Sequence, residues 1–182
     1  MALKSTIYKA ELQVADMDRH HYADYPLTIA CHPSETAERM MVRVLAFALN
    51  GHHLLAFGKG LSDVEEPDLW RRDLTGVIEQ WIEVGQPDDR TVLKACGKAG
   101  EVLVYAYASS TAQWWKQVGP KLERARNLKV FALEHEAVRA LGLMAARNMR
   151  LQCTIQDGVI WLGGDNEHVE ITPKILLAPD SE

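Results

Sequence analysis

The sequence predicts an α/β fold with a mixed β-sheet core flanked by helices, on three observations. First, the middle of the chain alternates amphipathic stretches with short apolar runs, in the order helix, strand, strand, helix, strand, helix, strand, helix. Second, residues 102–107 are apolar on both faces, the pattern of a central strand covered by helices on either side. Third, hairpins bracket that core: residues 7–14 with 25–31 at one end, and 149–155 with 159–162 at the other, the latter around Asp157-Gly158, a dipeptide suited to a tight turn. With no internal repeat, low-complexity segment or linker, the expectation is one domain over residues 1–182, its core at about 34–133 and its hairpins at about 5–31 and 149–171.

The bulk numbers narrow the function classes. A formal net charge of −5 disfavours a general nucleic-acid coat protein, which needs a basic surface, but leaves room for a carboxylate-rich enzyme acting on nucleic acid. Cys31, Cys96 and Cys153 are odd in number and widely spaced, so they read as reduced core residues of a cytoplasmic protein rather than as disulfides or a zinc site. Residues 1–6 hold no long apolar stretch, and no run reaches membrane-spanning length, so neither a signal peptide nor a membrane partner is expected.

Along the chain, His20 and His21 are adjacent and read as loop residues between the first two strands. Ser34 is the expected N-cap of a helix over 35–49 that stops at Asn50-Gly51. Its inward stripe is Val42, Leu45 and Leu49, with Arg39 and Arg43 outside and Glu38 one turn before Val42, on the buried side. Residues 54–57 form a short strand. The acidic segment 61–70 contains Pro67-Asp68, compatible with either a helix start or a strand entry. Residues 77–84 form the central strand, with Glu79, Trp81 and Glu83 on one face and Ile78, Gln80, Ile82 and Val84 on the other. Then follow a helix over 91–99, the strand 102–107, a helix capped by Ser109 or Ser110 that carries Trp114 and Trp115, a strand over 128–133, a helix over 134–146, the second hairpin, a short strand at 169–171, and a loose tail from Pro173.

Glu83 is the residue that demands a reason. An unpaired carboxylate within a buried strand is costly, so a cation or a partner side chain must sit beside it. Carboxylates converging at one end of a sheet can hold Mg²⁺, which prefers oxygen ligands and keeps several waters. Glu79 lies too far along the strand to share that ion, about 13 Å between Cα atoms. Asp68 is the natural second ligand and Glu38 a third.

Several stretches resemble the YaeQ family of bacterial proteins: residues 1–4 and 7–10, His32-Pro33-Ser34-Glu35-Thr36 followed by Glu38-Arg39-Met40-Met41, residues 81–85, and residues 154–162. The resemblance runs over nearly the whole chain. It implies a variant of the restriction-endonuclease-like PD-(D/E)XK nuclease fold. Carried over, Pro67-Asp68 looks like the Pro-Asp pair, Glu83 like the acid of the (D/E)XK strand, and Glu38 like the extra acid on the first helix. Gly85 stands where the motif has lysine, so Lys94 or Lys98 on the next helix is the candidate ammonium, although both lie on the face opposite Val92, Cys96 and Ala99.

Two expectations about function follow. One is a nuclease-like phosphodiesterase using Mg²⁺ or Mn²⁺ on nucleic acid, with Asp68, Glu83 and Glu38 as metal ligands, Glu83 and Lys94 as catalytic residues, and Arg124, Arg126 and Lys129 as a backbone-binding patch. The alternative is a catalytically inactive nuclease-fold protein that binds or regulates a partner, with Trp70, Trp114 and Trp115 as candidate anchors.

Overall fold

The computed structural model describes residues 4–180, so the part of the resemblance and of the signal-peptide reading that falls on residues 1–3 lies outside it. Where one mixed sheet was expected, the described residues form two, and the chain divides into two units: Met1–His52 with Glu136–Thr172, and His53–His135 with Pro173–Glu182.

The first unit is built on a five-stranded sheet. Its strands are β1 (Thr6–Asp16), β2 (His21–Cys31), β8 (Asn148–Gln156), β9 (Val159–Gly163) and β10 (His168–Ile171), in the order β10-β9-β8-β1-β2. The two terminal hairpins are therefore not separate additions. β1 pairs parallel with β8, from Lys9 opposite Asn148 to Asp16 opposite Ile155, which joins them edge to edge. Strict alternation decides the buried face: Ala10, Leu12, Val14, Leu27, Ile29, Leu151, Cys153 and Ile155 are buried, while Glu11, Gln13, Arg150 and Gln152 face solvent. Asp157 and Gly158 both have positive φ, +53° and +75°, as the tight β8–β9 turn requires. His21 is not a loop residue. It opens β2, and its Nε2 lies 2.6 Å from the Tyr25 hydroxyl.

Helix α1 (Ala37–Leu49) belongs to this unit. Its N-cap is Thr36, not Ser34: Thr36 Oγ1 accepts the Arg39 N–H at 3.1 Å, while Ser34 hydrogen-bonds the His32 ring at 2.6 Å. The expected polar outer side does not exist, because Met40 to Ala48 are all buried. Arg43 is buried too, and Glu35 makes that tolerable. The Glu35 carboxylate accepts Arg39 Nη1 at 2.6 Å and Arg43 Nε at 3.0 Å and also meets Arg43 Nη2, which in turn donates to Ala30 O at 3.0 Å.

The second unit carries a six-stranded sheet, β3 (Leu55–Phe57), β4 (Leu69–Arg72), β5 (Ile78–Val84), β6 (Glu101–Ala106), β7 (Leu128–Ala132) and β11 (Lys174–Leu177), in the order β11-β7-β6-β5-β4-β3. β5, β6 and β7 are parallel; the others pair antiparallel. The tail after Pro173 is thus an edge strand on β7, not a loose end. Parallel strands need crossovers, supplied here by α2 (Asp89–Cys96) and α3 (Thr111–Leu122). Val92, Ala95, Trp114, Val118 and Leu122 from these helices pack on Trp81, Val102, Val104, Leu128 and Val130 of the sheet. Trp114 is a core residue, its indole N–H donating to Pro87 O at 3.0 Å, and Trp70 and Trp115 pack partly buried against the same cluster, so none of the three stands out as a free anchor. The last helix, α4 (His135–Leu143), is shorter than expected.

Candidate functional site

Asp68 is neither in a helix nor quite in the strand: it is the residue immediately before β4. Its own N–H donates to Ile82 O at 3.1 Å, and its side-chain Oδ2 accepts the Val84 N–H at 2.8 Å. Asp68 therefore grips the backbone on both sides of Glu83. The Pro67 carbonyl accepts the Gly60 N–H at 3.2 Å, and at this point of the β5 ladder the Asp68 carboxylate is the acceptor for the Val84 N–H. Asp68 is only 1% exposed. Gly60, at φ +49°, closes over it: a Cβ there would lie 2.6 Å from Asp68 Oδ1.

Glu83 lies one residue before the end of β5 and is half-buried. One partner of its carboxylate is on its own strand. Trp81 Nε1–H donates to Glu83 Oε1 at 2.9 Å, the two side chains sharing a face as residues two apart in a strand must. Trp81 is 4% exposed, with Trp70 edge-on to it at 5.9 Å between ring centroids. Glu79, on the same face, is paired with Arg71 at 2.9 Å.

The remaining sequence candidates fall differently. Lys94 is exposed and reaches Glu65 Oε1 at 3.2 Å, and Lys98 reaches Glu65 Oε2 at 3.4 Å. These two ammonium groups hold the Glu65 carboxyl below the usual glutamate range. Lys98 also lies over the Trp81 ring, 5.7 Å from its centroid. Glu38 belongs to the other unit, where its side chain lies against α4 at Gly142, whose Cβ, if present, would come within 2.8 Å of Glu38 Cγ. Arg124 and Arg126 are exposed between α3 and β7. Lys129 does not share a face with Glu83. It is level with Leu103 and hence Ile82, so it projects from the opposite side of the sheet, with Glu101 3.9 Å away.

Asp68 is thus bonded to the backbone on either side of Glu83, which puts the two acids at neighbouring strand ends. Among the described residues no group of three or more His, Cys, Asp or Glu forms a metal-binding set. The pair does match the chemistry of a hard cation: both donors are oxygens, and Mg²⁺ is commonly held by one or two carboxylates and several waters. Strand periodicity places Trp81 and Glu83 on one face but does not reveal the hydrogen bond between them. Nothing in residue spacing distinguishes a tryptophan that packs from one that also donates.

The molecule is an α/β protein of two mixed sheets with flanking helices. The profile of the family described as YaeQ protein matches residues 1–173, and the chain belongs to that family. It is 47% identical over 172 residues to the "Uncharacterized protein YaeQ" of Escherichia coli (strain K12), covering 94% of this chain and 95% of that one, and equally identical to its Salmonella typhi counterpart. The crystal structure of YaeQ protein from Xanthomonas axonopodis pv. citri is similar at 48% identity and a TM-score of 0.93, over 96% of this chain and 99% of that one. That of YaeQ protein from Pseudomonas syringae is similar at 36% identity and a TM-score of 0.92, over 96% and 97%. No described helix is long and apolar enough to cross a membrane.

Proposed function

We propose that the second unit is a PD-(D/E)XK-type phosphodiesterase acting on nucleic acid with Mg²⁺ or Mn²⁺. One observation carries this reading: Asp68 binds the backbone on both sides of Glu83, which fixes two acids, in the chain order of the motif, at the C-terminal end of β5. That end is where parallel strands of α/β sheets present their ligands. Asp68 and Glu83 are the residues that would hold the ion. When bound, such an ion neutralises charge on a phosphodiester and lowers the pKa of a water. The Trp81 indole holds Glu83 through Oε1. Asp68 is held through Oδ2, which accepts the Val84 N–H. Arg124 and Arg126 serve as the contacts to the nucleic-acid backbone in this reading, with Lys129 on the far face of the sheet. Glu38, in the other unit, is not needed for it.

A second reading, a nuclease-like scaffold that binds without cleaving, is favoured by one feature. Gly85 replaces the motif's lysine, and Lys94 is engaged with Glu65. Incubating the full chain with single- and double-stranded DNA and RNA in Mg²⁺ and in Mn²⁺ decides between them. Cleavage that is lost in Glu83→Gln supports the phosphodiesterase. Binding without cleavage supports the scaffold. Cleavage that survives in Glu83→Gln removes the site.

A further inference from the structure

We infer that the outer face of the first unit's five-stranded sheet binds a neutral oligosaccharide, with Trp161 as its stacking platform and Gln13 and Gln152 as polar contacts. This site is separate from Asp68 and Glu83, which belong to the other unit. Strand alternation sends Leu12, Leu151 and Ile160 into the core and their neighbours outward. Register then fixes which outward side chains stand side by side. One row runs Asp24, Gln13, Gln152, Gly163, from β2 across β1 and β8 to β9. The next row runs Tyr22, Ala15, Thr154, Trp161. Only the small side chains of Ala15 and Thr154 stand between its two aromatic residues. Tyr22 is 62% exposed, and three strand spacings put about 14 Å between it and Trp161. The loop between β9 and β10 forms a wall beside this face, and two hollows result. One of about 440 Å³ is lined by Glu11, Gln13, Asp24, Arg150, Gln152 and Asp165. The other, of about 580 Å³, lies against Trp161, Thr154 and residues 164–167. Gln152, Gly164 and Asp165 line both, so the two adjoin, and each has the size of a small-ligand site.

The mix of donors and acceptors decides the class of ligand. Among the described residues, no hydrogen bond or ion pair engages the side chains of Gln13, Gln152, Arg150 or Trp161, although Arg150 stands level with Glu11 on the adjacent strand. Glu11, Asp24 and Asp165 line the first hollow against one cation, Arg150, so its net negative charge repels a polyanion. A polyamine brings donors only and leaves the guanidinium and the two side-chain amides without acceptors. A sugar hydroxyl both donates and accepts, so it meets carboxylate, amide and guanidinium alike. A pyranose ring also carries an apolar C–H face, which matches the indole of Trp161, an apolar body with one polar N–H. Two adjoining hollows and two aromatic residues in one row call for a chain of rings rather than a single sugar.

NMR titration of the full chain, labelled with ¹⁵N at tryptophan, with cellohexaose, maltohexaose and hexa-N-acetylchitohexaose tests this. Trp161 is the one tryptophan of the first unit among five in the chain, and its indole resonance is assigned with Trp161→Phe. We expect at least one of the three sugars to shift that resonance saturably and to leave the indole resonances of Trp70, Trp81, Trp114 and Trp115 in place. Affinity for that sugar, read by calorimetry, falls about 10-fold or more in Trp161→Ala, the loss of an aromatic anchor. It falls about 3- to 10-fold in Gln13→Ala and in Gln152→Ala, the loss of one hydrogen-bonding group each. Both glutamines are exposed, so these two variants keep the fold whatever Trp161→Ala does. Spermine and hexagalacturonate, the charged probes, leave the Trp161 resonance in place. No shift with any of the three sugars overturns the inference, and so does a sugar affinity unchanged in both glutamine variants. A shift by spermine or hexagalacturonate at least as strong as that by the sugars assigns the hollows to a charged ligand and overturns it too.

Discussion

Asp68 Oδ2 lies 2.8 Å from the Val84 backbone nitrogen, so a side chain takes the place of a strand in the β5 ladder. Structure and chemistry are combined in this one carboxylate, and conservative substitutions separate them. Asp68→Asn retains an oxygen that can accept the Val84 N–H, whereas Asp68→Ala leaves a buried donor unsatisfied, at a cost of about 1–3 kcal/mol. In urea denaturation of the full chain, Asp68→Ala shows that loss and Asp68→Asn shows little. Both lose Mn²⁺ affinity. Equal destabilisation by the two variants would remove the ladder role.

Gly60 is the lid on the same carboxylate. At φ +49° it is disfavoured for residues with a side chain, and its Cβ would approach Asp68 Oδ1 to 2.6 Å. Gly60→Ala is expected to destabilise the protein by more than about 1 kcal/mol through strain and crowding. The same change at Gly76, where a Cβ meets nothing within 4 Å, isolates the strain alone and serves as the comparison.

The buried cluster Glu35–Arg39–Arg43 gives the largest stability effect. Removing the Glu35 carboxylate takes the ion-pair partner from a guanidinium whose side chain is 6% exposed, and breaking a buried pair in this way costs about 3–5 kcal/mol. Glu35→Ala should therefore lower the urea midpoint far more than Glu136→Ala, whose partner Arg139 is 61% exposed and whose loss falls within about 1 kcal/mol.

Helix α2 carries a pH dependence of definite sign. The backbone N–H of Thr91, and then its hydroxyl, hold the Asp88 carboxyl below the ordinary aspartate range. A carboxyl with a depressed folded pKa contributes stability above its unfolded pKa, and that contribution is lost as pH falls through the folded value. Asp88→Ala should cost about 1 kcal/mol at neutral pH. The difference from the native protein should vanish in denaturation curves taken at progressively acid pH, below the aspartate range.

Burial pushes the Cys153 thiol up to about 12, and desolvation raises Cys31 and Cys96 as well. A thiol reagent at pH 8 should leave Cys153 unmodified in the folded protein and label it only with denaturant present. Mass spectrometry of the labelled peptides reads this directly.

Much of the second unit was legible from the sequence because its signals are local. Apolar runs bounded by caps, and the shared face of Glu79, Trp81 and Glu83, needed only periodicity. What the sequence hid is non-local. β1 and β8 both alternate correctly for a strand, but alternation does not say that residues 139 positions apart, such as Lys9 and Asn148, lie side by side. Arg43 looked like a surface residue because its partner, Glu35, lies eight positions earlier, before the helix begins. Asp68 remained open between helix start and strand entry because the deciding contact is made with Val84, sixteen residues on.

The most direct test of the account is calorimetric titration of the full chain with Mn²⁺, for the native protein beside Glu83→Gln and Asp68→Asn. The pairing of Asp68 with Glu83 predicts binding in the native protein that is lost in the first variant and strongly weakened in the second. Native protein that takes up no Mn²⁺, or equal affinity in all three, would contradict it.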